Sequence, residues 1–260
     1  MRIEPLLALE RHREILNLLA EKGSARVSEL AQRFDVTEET IRRDLDKLEA
    51  EGRLSRSHGG AVSRTDRENE TPHWQREYLN TREKEAIARE AVKLVQEQDR
   101  LILDASSTSW FVARRLPDVP LTVITNSLHV ALVLAERPHC KVISPGGTLT
   151  AASMSLVGSE SQQALLRYHA RLLFVSCRGF DVPRGAFDIS EEQAMVRRTM
   201  LEISDEHVLL VDSSKLGSCS LSMIAPPASF HRLITDDKAD PELCRLITES
   251  GLTLTRAELM

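Results

Sequence analysis

Aromatic side chains are scarce in this sequence. Two tryptophans, two tyrosines and six phenylalanines amount to 4% of 260 residues, too few for a membrane-interface belt or a base-stacking platform. Cysteine is as sparse: Cys140, Cys177, Cys219 and Cys244 lie far apart and form no C-x-x-C pair. That spacing argues against zinc and against a disulfide framework, and leaves buried or incidental thiols. The eight histidines show no H-x-x-x-H or H-E-x-x-H spacing, so no metal and no cofactor is expected. No apolar run approaches the roughly 20 residues that cross a bilayer, and the charged first dozen residues lack the apolar centre of a secretory signal. The expectation is a cytoplasmic protein with no membrane partner. Positive charge is not in excess either: 34 basic against 39 acidic residues give a net charge of −5. Nucleic-acid binding must therefore rest on a local surface.

What is present suffices for a core. A hydrophobic fraction of 42% in 260 residues suits a small domain followed by a medium one. Residues 9–22 carry Ile15, Leu18 and Leu19 at helical spacing and meet Gly23 as a stop. Residues 27–34 make a short helix with Val27, Leu30, Ala31 and Phe34 on one side. A tight connection through Asp35 and Val36 leads to a third helix, 38–51, with Thr37 as N-cap and Gly52 as terminator. Residues 53–62 suit a β-ribbon that bends at Gly59-Gly60. The domains are read as a winged helix-turn-helix over 1–62, a polar linker over 63–81, and an α/β domain over 82–260. In the last, a helix over 82–95 precedes apolar runs at 101–103, 121–124, 141–143, 171–175, 208–211 and 232–234. Helical stretches such as 109–116, 127–136, 160–168 and 190–202 fall between them. Strands alternating with helices predict a three-layer α/β fold around a mostly parallel sheet.

The third helix buries Ile41, Leu45 and Leu48 on one arc and shows Glu39, Arg43 and Lys47 on the other, flanked by Thr40 and Arg42. Threonine and arginine near the start of such a helix suit the major groove of double-stranded DNA. Arginine grips guanine or phosphate, so the sequence leaves base reading and backbone positioning open. Between Arg53 and Arg67 stand four arginines against one acidic residue, a wing able to grip phosphates. The run from Val27 to Leu48, with its T-x-R-R-D-L core at Thr40–Leu45, resembles the signature of the DeoR family of bacterial regulators. Gly52 and the Arg56-Ser57-His58-Gly59-Gly60-Ala61 stretch resemble that family's wing. The resemblance implies operator contacts from Thr37, Thr40, Arg42, Arg43, Lys47, Arg56, Ser57 and His58.

In the α/β region the chemistry recurs at strand ends. Leu101-Ile102-Leu103 gives way to Asp104-Ala105-Ser106-Ser107-Thr108 before a helix, and 121–124 to Thr125-Asn126-Ser127. Strand 141–143 ends near Gly146-Gly147, 171–175 near Arg178 and Asp181, and 208–211 near Asp212 and Lys215. Hydroxyls beside free amides at a helix start make an anion site, and the carboxyl ends of parallel strands are where such domains bind ligands. The set Asp104, Ser106, Ser107, Thr108, Asn126, Ser127, Gly146, Gly147, Arg178, Asp181 and Lys215 thus suits a phosphate with sugar hydroxyls. The DeoR resemblance extends here, and implies a sensor similar to the ribose-5-phosphate isomerase and CoA-transferase fold, binding a phosphorylated sugar. Ser106 departs from the glycine usual in the family's phosphate loop. The stretch from Asp104 to Pro117 is similar to regulators of fucose-utilisation operons, which implies a ketose 1-phosphate such as fuculose 1-phosphate. A sugar-phosphate isomerase-like enzyme is the rival, but the D-G-A-D and K-G-G-G-G runs of isomerases are absent. The expectation is a non-enzymatic regulator, a repressor acting as a homodimer or homotetramer on repeated half-sites. The helix at 82–95 and the linker around Trp74 and Tyr78 are expected to couple the two domains.

Overall fold

The computed structural model describes residues 8–22, 24–51, 53–57, 59–62 and 71–259. Gly23, Gly52, His58 and the 63–70 part of the expected linker lie outside the described residues. The chain divides into two compact units, Met1–Asn80 and Thr81–Met260.

The first unit contains α1 (Ala8–Lys22), β1 (Ser24–Arg26), α2 (Val27–Phe34), α3 (Glu38–Ala50), β2 (Ser55–Ser57), β3 (Gly60–Val62) and α4 (His73–Tyr78). α2 forms because Val27, Leu30, Ala31 and Phe34 fall on one face, and all four are buried. It stops at Asp35, which takes the left-handed conformation (φ 51°) and returns its N–H to Ala31 O, a role a short polar residue accepts at low cost. Thr37 caps α3 by accepting from Thr40 N at 3.2 Å. Ile41, Leu45 and Leu48 join Ile15, Leu19 and Leu30 in one core. Asp44 is also buried: it accepts from Arg11 Nε at 2.5 Å and from His12 Nε2 at 2.8 Å. The aspartate of the T-x-R-R-D-L core therefore clamps α3 onto α1.

The wing has three strands in the order β1-β3-β2, all antiparallel, where the sequence suggested a ribbon over 53–62 alone. Ser24-Ala25-Arg26 is too short and too polar to declare itself by pattern; it forms because β3 offers it a partner. Gly60 permits the pairing, since a Cβ there would stand 2.2 Å from Ala25 O. The expected linker needs correction. Residues 73–78 form α4, ordered by contacts of Trp74 and Tyr78 with Arg53 rather than by an apolar period of their own.

The second unit contains α5 (Thr81–Ala91), β4 (Arg100–Leu103), α6 (Ser107–Arg115), β5 (Leu121–Thr125), α7 (Leu128–Ala135), β6 (Cys140–Ile143), β7 (Thr148–Thr150), β8 (Ser155–Val157), α8 (Ser159–Leu165), β9 (Ala170–Ser176), β10 (Gly179–Asp181), β11 (Gly185–Asp188), α9 (Glu191–Glu202), β12 (Ser204–Leu210), β13 (Ser222–Ala225), β14 (Arg232–Asp236), α10 (Pro241–Glu249) and β15 (Thr253–Ala257). Seven strands form a wholly parallel sheet in the order β15-β14-β12-β9-β4-β5-β6. Its central strands β4, β5 and β9 and the second half of β12 are apolar on both faces, and the two-residue period divides them. Leu101, Leu103, Leu172, Phe174, Val208 and Leu210 pack with α5, α6 and α7. Ile102, Leu173, Val175 and Leu209 pack with α8, α9 and α10. Three layers result. Strand order reverses between β4 and β9, so their carboxyl ends mark the switch point where open α/β sheets bind ligands. The antiparallel β10-β11-β13 sheet and the β7-β8 hairpin, absent from the sequence reading, stand beside that end.

Candidate DNA-reading helix and effector rim

On α3, Arg42, Arg43 and Lys47 are exposed, and Thr40 is half-buried. Arg42 donates to Glu38 at 2.6 Å, and Arg43 Nε lies 3.5 Å from Glu39, each one helical turn back. Surface pairs of this kind contribute roughly 0–1 kcal/mol, so both guanidinium groups can exchange their carboxylates for DNA at little cost. The Thr37 hydroxyl serves the cap and lies 2.9 Å from that of Thr40. Arg56 is tied back to α3: its N–H donates to Glu49 at 2.9 Å and its Nε lies 3.4 Å from Asp46. This sets the wing against the recognition helix. Ser57 lies in β2 opposite Gly60.

At the sheet's carboxyl end Asp104 is fully enclosed. It accepts from Ser106 Oγ and Ser109 Oγ at 2.6 Å each, from Ser176 N at 3.1 Å, and from Arg197 Nε at 2.7 Å. Burial alone would raise its pKa; the Arg197 charge and the two serine hydroxyls outweigh it and hold the carboxyl below its usual range. Arg197 also donates to Asp188 at 2.6 Å, so one buried guanidinium joins β4, β11 and α9. Asp104 holds the loop in shape, with its oxygens spent on protein partners. Ser106, the departure from glycine, spends its hydroxyl on Asp104 and on capping α6 through Ser109 N at 3.0 Å. The serine stiffens the loop.

Other polar atoms at this rim are left open. Thr108 Oγ1, in the first turn of α6, is buried without a protein partner, as is Asn126 Oδ1 just before α7. Asn126 Nδ2 donates to Leu156 O at 3.0 Å, which pins β8 and turns the amide oxygen into an unused acceptor. Ser127 caps α7 by accepting from Val130 N at 3.2 Å. Ser107 is buried in the first turn of α6. Asp181 has a buried oxygen without a partner, and Arg178, three residues earlier, is exposed. Gly146 faces open space, but Gly147 is required by packing: a Cβ would meet Val157 O at 2.5 Å. Lys215 lies 3.3 Å from Asp212.

Three contributors were missed in the sequence. Arg197 and Asp188 stand far from Asp104 along the chain and share no spacing with it. Lys84 did leave a signal, since it falls on the buried stripe with Ile87, Ala88 and Ala91 of α5 and is itself buried. Together with Lys215 it acts on Asp212. Burial would raise that carboxyl, but Lys215, then Lys84, then the Ser214 hydroxyl lower it from 3.8 to about 2. A folded-state pKa below the unfolded one adds stability that is complete above about pH 4 and lost as the pH falls towards 2. The separation corresponds to about 2 kcal/mol. The Asp212 contribution to stability against urea should fall by that amount between pH 5 and about pH 2, and Asp212→Asn should remove this part of the acid dependence. An unaltered acid dependence in the variant would refute the assignment. Cys177, between these charges, is pushed up to about 12 by burial and is inert as a nucleophile.

Two surface cavities lie elsewhere. One of about 390 Å³ is lined by Leu18, Ala25 and residues of α2; one of about 440 Å³ lies at the amino ends of β5 and β6. Neither gathers the open acceptors and ammonium groups of the rim, so the rim is the better candidate. No described helix is long and apolar enough to cross a membrane.

Residues 11–67 match the DeoR-like helix-turn-helix domain, and residues 79–237 match the DeoR C terminal sensor domain. The chain is 46% identical to the uncharacterized HTH-type transcriptional regulator YulB of Bacillus subtilis, over 98% of both chains. It is 38% identical to the L-fucose operon activator of Haemophilus influenzae, over 85% of this chain and 89% of that one. It is 32% identical to the HTH-type transcriptional repressor GlcR of Bacillus subtilis, over 96% of each. These relatives carry the names of regulators, not enzymes. The chain belongs to the DeoR family of transcription regulators.

Proposed function

We propose that the protein represses a carbohydrate-utilisation operon and that a phosphorylated sugar sets its affinity for the operator. In this reading a homodimer or homotetramer binds double-stranded operator DNA, with α3 in the major groove and the wing on the backbone. One observation carries the effector assignment. Thr108 Oγ1 and Asn126 Oδ1 are buried polar atoms without protein partners at the starts of neighbouring helices, and such atoms cost free energy unless a ligand or water meets them. The threonine hydroxyl and the first amides of α6 suit a phosphate; the asparagine oxygen accepts from a sugar hydroxyl. Lys84 and Lys215 add positive charge, and Asp181 adds a second open acceptor. The fucose-operon relative supports a deoxyketose 1-phosphate.

Of the three named relatives, one is named an activator and one a repressor. A winged helix seated on a promoter needs no further contact to exclude polymerase, whereas activation needs a surface that recruits it; repression is therefore the simpler assignment. A thermal-shift panel of aldose and ketose phosphates tests the effector. At one hundred times its dissociation constant the true ligand stabilises the protein by about 2.7 kcal/mol. Thr108→Val should abolish the shift while preserving shape. A panel in which inorganic phosphate and fuculose 1-phosphate alike leave the melting curve unmoved, along with every other member, would sink the proposal.

A further inference from the structure

We propose that Gln193 is a specificity-determining residue of the effector rim, reading a second hydroxyl of the sugar together with Ser153 and Ser155; this rests on the sugar-phosphate assignment proposed above. Gln193 lies in the first turn of α9 and is 2% exposed. Its Nε2 donates to Ser153 Oγ at 2.8 Å and to Ser155 Oγ at 2.5 Å. The two hydroxyl oxygens lie 2.8 Å from each other, and both serines are buried. A count of hydrogens fixes which way the amide faces. Three contacts need three hydrogens, and the amide nitrogen supplies two while one serine supplies the third. Turned over, the amide would bring only an acceptor, and two hydroxyl hydrogens cannot serve three contacts. The nitrogen therefore faces the serines, and the oxygen faces away from them.

Two groups are left over. One serine hydrogen has no acceptor within the trio, and Gln193 Oε1 makes no hydrogen bond among the described residues. A spare donor and a spare acceptor in one buried cluster are the complement of a hydroxyl, which accepts with its lone pairs and donates its hydrogen. The fold connects this cluster with the rim. Arg197, one helical turn after Gln193, donates to Asp104 in the loop after β4. Ser155 pairs with Ser127 in the turn after β5, and Leu156 donates its N–H to Asn126 O at 2.8 Å. One face of α9 thus grips the two strand ends that present Thr108 and Asn126. Packing α9 on β8 needs no amide: Ala194, Val196 and Val157, on the same elements, do so with apolar contacts. Three buried polar side chains cost free energy unless every donor and acceptor is met, and a ligand hydroxyl completes the set. A sugar with hydrogen in that place leaves both groups unmet, and polar sites reject such analogues strongly.

The test is calorimetric titration of the full-length protein with fuculose 1-phosphate, fructose 1-phosphate and glucose 6-phosphate, with inorganic phosphate as competitor. The wild type should bind at least one ester, and inorganic phosphate should displace it. Gln193→Met should weaken the tightest ester by at least about ten-fold. The inhibition constant of inorganic phosphate should stay within about two-fold, because phosphate carries no sugar hydroxyl; a merely structural residue would move both. Gln193→Met strands two serine hydroxyls. Should it fail to fold, Ser153→Ala/Ser155→Ala/Gln193→Met removes all three polar groups together, a change close to neutral for stability, and the same split is expected. A folded variant that holds the ester as the wild type does, or that loses ester and inorganic phosphate in equal measure, overturns the role of Gln193 and leaves the effector assignment standing. A wild type that binds none of the three esters, or whose bound ester inorganic phosphate cannot displace, overturns both.

Discussion

Replacing Arg42 and Arg43 by alanine is expected to reduce operator affinity by at least about thirty-fold, since each bidentate base contact contributes about 1–3 kcal/mol. The fold should not suffer. Both side chains are exposed, and their partners Glu38 and Glu39 are exposed with them, so the lost pairs cost little. The salt dependence then separates two roles. An arginine on a phosphate contributes about 0.9 to the slope of log affinity against log salt concentration, whereas one that reads a base leaves that slope nearly unchanged and relaxes sequence preference instead. Singles of each type, measured on the operator and on a scrambled duplex, assign the two. Lys47→Ala serves as the comparison, since a lysine a turn further along α3 acts as a point charge. A double variant that binds operator as tightly as the wild type would remove α3 from the interface.

The DNA-binding unit was legible in the sequence because local patterns determine it. A four-residue apolar face, a threonine cap and a buried stripe specify α2 and α3 within one residue of where they lie. The parallel sheet was legible for a related reason: strands buried on both faces are continuous apolar runs, and 101–103, 121–124 and 171–175 stand out against their polar flanks. What escaped depends on tertiary partners. β1 is a strand because β3 lies beside it, and α4 is a helix because Arg53 takes its aromatic rings. β15 is a strand because β14 lies beside it at the edge of the sheet. The β10-β11-β13 sheet is built from strands of three or four residues, too short to show alternation.

The rim shows the same division at the level of single side chains. Strand-end positions could be named because chain direction and topology place them together. Their roles could not, because roles depend on which oxygen is already engaged. Asp104 and Ser106, read in the sequence as ligand contacts, bond to each other and hold the loop in shape. Gly147 looked like room for a ligand and is room for β8. Thr108 and Asn126 differ from these in that each retains a buried polar atom without a protein partner.

Arg197→Met is expected to destabilise the second unit by about 3–5 kcal/mol, the usual effect of removing one partner from a buried ion pair. The guanidinium is buried between Asp104 and Asp188, both buried. Methionine fills much of the space and leaves two carboxylates facing each other without their counter-charge. For a unit of this size the loss lowers the melting temperature by about 2–4 °C per kcal/mol, so a drop of about 10 °C is the central expectation. Arg197→Lys should recover only part, because an ammonium cannot donate in parallel to Asp104 and Asp188 as the planar fork does. The instructive variant is Arg197→Met with Asp104→Asn. If the arginine serves mainly to neutralise Asp104, removing that charge offsets part of the first loss, and the double variant melts above the sum of the singles. Effector binding should weaken in all of these, since the first turn of α6 is set by the loop that Asp104 holds. An Arg197→Met protein that melts with the wild type would show that the buried network is incidental, and would leave the order of the loop after β4 without a cause.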